Sequence, residues 1–160
     1  MGREGILHEG IRVGLAGAAA VAVWFFLYDL ATATAFRTPA LLGAALFEGL
    51  RDPAGLVITP GLVLKYTAVH GLAFLVFGVA VAGLFALADR DRPMIFGVFM
   101  LFCCFEVAVF LAMATLGSWL LDTLQPWAIL GGNFVAALLM LGILFRDHHF
   151  SVHEMLVSGE

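Results

Sequence analysis

The chain has 160 residues, of which 62% are hydrophobic and 12% are charged, whereas soluble domains have about 45–50% and about 25%. A soluble fold of this length cannot bury so much apolar surface, so we expect most of the chain to lie in a membrane. The net charge of −4, with 8 Lys and Arg residues, offers no basic surface to a phosphate backbone. Composition and charge exclude a soluble enzyme, a disordered chain and a nucleic-acid-binding protein.

The first apolar stretch covers residues 13–35 and follows Arg3 and Arg12, an arrangement that a signal peptide would share. It is longer than the usual apolar core of a signal peptide, and Asp29 interrupts it. We therefore predict an uncleaved first membrane span.

A short helix is predicted after the first span, over residues 39–51. Thr38 and Pro39 favour its start, and Asp52 and Pro53 favour its end. It is too short to cross a bilayer, which requires about 20 residues. Two alternatives remain open: the helix lies in the membrane interface, or it enters the membrane as a re-entrant segment.

Three further apolar stretches cover residues 61–88, 93–117 and 126–145 and are long enough to span. Backbone groups in lipid need partners within the span, so we expect helices, and the alternating strands of a barrel do not appear in the sequence. The chain is therefore predicted to be one all-α domain with four transmembrane helices in an up-down bundle. Stripes of small residues would allow close helix packing: Gly10 and Gly14, Gly78 and Ala82, and Gly132 and Ala136.

The basic residues predict the orientation. One side of the membrane would hold Arg3, Arg12, Arg90, Arg92 and Arg146, and the other side Arg37, Arg51 and Lys65. By the positive-inside rule, both termini are expected in the cytoplasm. The predicted location is the inner, or cytoplasmic, membrane.

Every predicted span contains at least one polar side chain: Asp29 in the first, Lys65 and His70 in the second, Glu106 in the third and Asn133 in the fourth. Because a charge at the bilayer centre costs about 2.5–3.5 kcal/mol, such groups usually face a partner or a cavity. Similar depths predict a structural ion pair between Asp29 and Lys65. At about 1.5 Å per residue, His70 and Glu106 differ by about 3 Å in depth. We expect this second pair to handle a proton or bind a ligand, or to fix helix packing through a hydrogen bond.

Aromatic residues surround these groups. Phe99, Phe102, Phe110 and Met113 share the Glu106 face of the third span, Tyr66, Phe74 and Phe77 flank His70, and Trp24, Phe25 and Tyr28 lie near Asp29. An aromatic cavity with a few polar groups is typical of a small-molecule site. A quinone or another lipid could bind there, with hydrogen bonds to His70 or Tyr66. The same residues could instead form an ordinary apolar core.

Two further features concern metals and thiols. His149 and His153 are four residues apart, with Glu154 adjacent, and imidazole and carboxylate groups suit a divalent metal. A solvated tail or a contact with a partner subunit is the alternative. Cys103 and Cys104 are neighbours on a helix and point about 100° apart, so we expect free thiols.

Three functions are compatible with these features. The preferred one is an accessory or scaffold subunit of a larger membrane complex, because no catalytic constellation is recognisable and an enzyme is therefore less favoured. The second is an oligomeric proton-coupled transporter or channel that uses His70 and Glu106, with Asn133 along the path. The third is a redox protein that binds a quinone or another lipophilic cofactor. The expected partners are the lipid bilayer and other membrane subunits or further copies of the chain.

Overall fold

The computed structural model describes residues 3–32, 34–88 and 94–147, and these residues contain helices and no strand. The helices are α1 (Arg3–Thr32), α2 (Arg37–Phe47), α3 (Pro60–Ala88), α4 (Met94–Leu116), α5 (Trp119–Thr123) and α6 (Pro126–Asp147). A 3₁₀ turn, Pro53–Gly55, lies between α2 and α3. Four helices, α1, α3, α4 and α6, are long and apolar enough to cross a membrane. The all-helical prediction is confirmed for the described residues, and the helices indicate a multi-pass membrane protein.

Helix α1 differs most from its predicted bounds. It begins at Arg3, well before residue 13, and ends at Thr32. The polar residues Glu4, His8 and Glu9 therefore belong to the helix, because adding a residue to an existing helix is far easier than nucleating one. An acidic residue in the first turn, Glu4, also interacts favourably with the helix dipole. The bounds of α3, α4 and α6 closely match the predicted spans.

The backbones of helices α1 and α3 are in van der Waals contact. A Cβ atom at Gly78 would lie 2.4 Å from the carbonyl oxygen of Gly10 and 2.7 Å from Cα of Gly14. Helix α1 also packs along α6, where a Cβ atom at Gly131 or Gly132 would lie 2.8 Å from the indole of Trp24. Small residues thus permit close packing on both sides of α1.

Buried residues form two apolar clusters. The first joins α1, α3, α4 and α6, and includes Val13, Val21, Phe74, Phe77, Val81, Ala82, Phe85, Val98, Ala136, Met140 and Leu144. The second joins α2 and α5 to the ends of α4 and α6, and includes Leu41, Leu42, Ala45, Met113, Leu120, Leu124 and Ile129. The two short helices are therefore part of the packed structure and not loose connections.

Helix α2 occupies Arg37–Phe47, a shift toward the amino terminus from the predicted 39–51. Seven of its eleven residues are buried, which is more than a helix with one apolar face would bury. A Cβ atom at Gly43 would lie 2.6 Å from the carbonyl oxygen of Leu62 in α3. Helix α2 therefore packs tightly against α3.

Helix α4 is the least buried of the four long helices. Among residues 96–116 of this helix, the buried apolar residues are Val98 and Met113, while Phe99 and Leu111 are more than half exposed. It packs against α3 and has few contacts with α6. This loose packing leaves a space between α4 and α6, where the candidate site lies.

Candidate ligand-binding site

A cavity of about 460 Å³ lies between α3, α4 and α6, and we call it the Glu106 cavity. Phe77 of α3 holds two rings of α4 in place: its ring centroid lies 4.2 Å from that of Phe105 and 5.1 Å from that of Phe102. Small residues of α6 leave the space open on the other side. The described residues that line it are Phe74, Phe77, Phe102, Cys103, Phe105, Glu106, Leu130, Gly131, Asn133, Phe134, Ala136, Ala137 and Met140.

Glu106 and Asn133 form the polar part of this cavity. The side-chain amide of Asn133 donates to Oε2 of Glu106 over 2.8 Å. The other carboxylate oxygen, Oε1, is buried and has no hydrogen-bond partner among the described residues. An unsatisfied buried acceptor costs about 1–3 kcal/mol, and more if it is charged, so this oxygen is a strong candidate for contact with a bound molecule.

His70 forms its hydrogen bond with a partner other than Glu106. Its Nε2 lies 3.2 Å from the carbonyl oxygen of Ala18, which accepts a hydrogen bond. Its ring is stacked on Tyr66, with centroids 5.9 Å apart, and lies 4.8 Å from the ring centroid of Phe74. The geometry therefore does not form the hydrogen-bonded His70–Glu106 pair expected from the sequence, because the imidazole has turned toward α1.

His70 and Tyr66 instead line a second cavity of about 350 Å³, together with Asn133. The rings of Phe74 and Phe105 line both cavities. Asn133 is therefore the polar residue shared by the space beside His70 and the space beside Glu106.

Asp29 also has a partner other than the expected one. Its carboxylate is buried and accepts from Thr38, at 2.7 Å from the backbone nitrogen and 2.6 Å from the hydroxyl. The exposed Lys65 extends its ammonium group over the ring of Phe47, 5.8 Å from the centroid. The described residues thus contain no Asp29–Lys65 ion pair. Thr38 lies in the first turn of α2, close to Asp29, whereas the long Lys65 side chain can reach solvent.

The residues predicted to share the Glu106 face are found in three locations. Phe102 lines the Glu106 cavity, but Phe99 is 62% exposed and points away from the protein. Phe110 and Met113 pack in the cluster with α2 and α5. Phe105 was missed, although its position three residues after Phe102 indicates that the two share a helix face.

Metal binding by His149, His153 and Glu154 concerns residues outside the described part of the chain. Within residues 3–32, 34–88 and 94–147, no group of three or more His, Cys, Asp or Glu side chains could hold a metal ion. Cys103 and Cys104 are free thiols, and Cys103 lines the Glu106 cavity.

No protein-family model, curated protein or solved structure matches this chain. The Glu106 cavity combines an aromatic lining with one unsatisfied carboxylate oxygen, which are the two elements of a site for a lipophilic ligand that bears one polar group.

Proposed function

We propose that this membrane protein binds a lipophilic small molecule in the Glu106 cavity. The observation that carries the proposal is the buried, unpartnered Oε1 of Glu106, a residue that lines a space together with five phenylalanines. The volume of about 460 Å³ lies within the range of about 300–1,000 Å³ typical of small-molecule pockets. Apolar rings would supply most of the binding energy, and the carboxylate would orient the molecule.

The ligand would enter from the lipid. Phe134 and Leu130 of α6 line the cavity and are 64% and 48% exposed, and Cys103 of α4 is also exposed. These residues belong to two helices apolar enough to span a membrane, so the opening between them faces the acyl chains. A molecule dissolved in the bilayer would reach Glu106 without crossing an aqueous phase.

Native mass spectrometry of protein released gently from its own membranes tests this proposal. We expect the protein to retain a bound small molecule of defined mass. Ala137→Phe, which adds a ring to the cavity wall, should abolish the bound mass. The matched control is Ala80→Phe at an exposed position of α3, which should retain it. Identical spectra for the two variants would contradict the proposal.

Membership of a larger membrane complex is a second candidate function. The exposed face of α4 favours it, because Phe96, Phe99, Val107 and Leu111 are each 59–64% exposed and would suit a neighbouring transmembrane helix as well as lipid. The same mass measurement separates the two functions, since a subunit would be released with other chains of constant stoichiometry.

Proton-coupled transport through His70 and Glu106 has less support, because the two side chains have separate partners. A transport role would require a path through Asn133, which lines both cavities. Proton flux in liposomes that is lost in Glu106→Gln would favour this role over simple binding.

We also propose that α1, α3, α4 and α6 form an up-down bundle in the inner membrane with both termini in the cytoplasm. The arrangement is supported by the second apolar cluster, which joins α2 and α5 to the end of α4 and the start of α6. Single cysteines introduced after Cys103 and Cys104 are replaced would report the orientation. Residue 2 should be labelled only from the cytoplasm, and exposed Asp52 only from the opposite side.

A further inference from the structure

The Glu106 cavity has no positive charge of its own among the described residues. None of the residues that line it is Lys, Arg or His. Lys65 lies over the ring of Phe47, and Arg51 donates to the carbonyl oxygen of Leu116, at the end of α4. Both cations are therefore engaged near helix ends and not beside Glu106.

The carboxylate of Glu106 has a hydrogen-bond donor for only one of its two oxygens among the described residues. Asn133 supplies the donor for Oε2, and Oε1 has none among the described residues. A carboxylate in an apolar site is stable only when it is paired and hydrogen-bonded. An ionised Glu106 would therefore be satisfied by a group that both donates a hydrogen bond and carries positive charge.

The lining of the cavity favours a cation for a separate reason. The faces of aromatic rings attract cations, most strongly where water is excluded. Phe74, Phe77, Phe102 and Phe105 all line the space that contains Glu106. The aromatic rings and the carboxylate thus favour the same chemical group.

We propose that the ligand of the Glu106 cavity is a protonated amine with an apolar body, an inference that rests on the proposed ligand-binding function. The ammonium group donates to Oε1 of Glu106, and the body packs against the phenylalanine rings. A quinone presents only acceptor oxygens, which cannot satisfy an ionised carboxylate and would require Glu106 to be protonated. For an ionised Glu106, the amine is therefore favoured over the quinone that the sequence left open as one possible ligand.

Calorimetric titration of the protein in nanodiscs of zwitterionic lipid tests this proposal with three probes: 4-phenylbutylamine, 4-phenylbutan-1-ol and a decyl-substituted benzoquinone. The amine and the alcohol have the same carbon skeleton and differ in the group offered to Glu106. Titration of each probe into nanodiscs without protein corrects its affinity for partition into the bilayer. Glu48→Gln removes the same charge at the exposed residue that follows α2 and is the matched control.

Because hydrogen bonds to charged groups are about twice as strong as neutral ones, we expect the amine to bind about tenfold more tightly than the alcohol. This preference should disappear in Glu106→Gln and persist in Glu48→Gln. Equal binding of amine and alcohol to the wild-type protein would overturn the amine proposal and leave the ligand-binding function intact. Tighter binding of the quinone than of the amine would likewise overturn the amine proposal and leave the ligand-binding function intact.

Absence of binding by all three probes would overturn both the amine proposal and the ligand-binding function. If Glu106→Gln does not fold, Ala137→Phe serves in its place, since it fills the cavity and leaves Glu106 unchanged. The amine should then lose at least tenfold in affinity. An unchanged amine affinity in Ala137→Phe would place binding elsewhere and overturn the proposal.

Discussion

The side-chain amide of Asn133 donates to one carboxylate oxygen of Glu106 over 2.8 Å, and this bond joins α6 to α4 where the two helices have few other contacts. It leaves Oε1 of Glu106 buried without a partner among the described residues. One hydrogen bond thus links a loosely packed pair of helices and leaves one carboxylate oxygen of Glu106 without a donor among the described residues.

The first prediction concerns this pair. Asn133→Leu should lower the free energy of unfolding by about 1–3 kcal/mol, because it leaves both carboxylate oxygens of Glu106 without a donor. Unfolding in mixed micelles with increasing denaturing detergent measures the loss. Combined with Glu106→Met, the substitution should cost less than the sum of the two single changes, with a coupling of roughly 0.5–2 kcal/mol. Strict additivity would show that the hydrogen bond contributes nothing to stability.

Close packing of α1 and α3 leads to the second prediction. Gly78→Ala places a Cβ atom 2.4 Å from the carbonyl oxygen of Gly10, and backbone atoms cannot move aside without separating the helices. We expect the free energy of unfolding to fall by about 1–3 kcal/mol. Gly83→Ala is the control in the same helix, because nothing lies within 4 Å of its Cβ position. It should be neutral or stabilising by up to about 1 kcal/mol. Equal effects at both positions would rule out the close approach.

A third prediction separates the observed partner of Asp29 from the expected one. Thr38→Val removes the hydroxyl that donates to Oδ1 of Asp29 over 2.6 Å, and should cost about 1–3 kcal/mol because a buried carboxylate loses a donor. Lys65→Met should change stability by less than about 0.5 kcal/mol, as expected for an exposed side chain. Thermal unfolding of both variants in the same detergent measures the difference. A larger loss of stability in Lys65→Met than in Thr38→Val would contradict this prediction and support an Asp29–Lys65 ion pair.

The fourth prediction tests whether His70 and Glu106 act together. Their hydrogen-bond partners differ, Ala18 for His70 and Asn133 for Glu106, so the effects of His70→Phe and Glu106→Gln on stability should add within about 0.5 kcal/mol. Unfolding of the two single variants and the double variant measures the coupling. A coupling above about 1 kcal/mol would show a direct interaction and support the proton-handling pair.

The four long helices were predictable from the sequence because a backbone segment in lipid has few possible conformations. A stretch of about 20 apolar residues in a bilayer must satisfy its own backbone groups, and only a helix does so within one segment. Helices α3 and α6 begin at Pro60 and Pro126, since proline suits a first helical turn. Helix α5 was not predicted, because five residues are too few to show a helical period.

The partners of the polar residues were harder to predict. The depth of a residue along a helix follows from its number, but the rotation of the helix about its axis does not. Helices α3 and α4 are apolar on all sides, so their sequences do not indicate which side faces a neighbour. Depth therefore suggested that His70 lies beside Glu106, whereas rotation directs it to Ala18. The sequence did not indicate Thr38 as the partner of Asp29 for a similar reason. The turn that brings α2 back toward α1 depends on Phe36, which has a left-handed conformation with φ of 64°.

Composition and apolar run length alone determined that this chain is helical, has four long helices apolar enough to span a membrane, and contains polar groups within them. The tertiary structure decided that Asn133 pairs with Glu106, that Thr38 pairs with Asp29, and that a cavity remains between α4 and α6. The physical reason is that hydrophobic transfer depends on how much apolar surface a segment carries. Hydrogen bonds depend on distance and direction between particular atoms, and helix packing sets both.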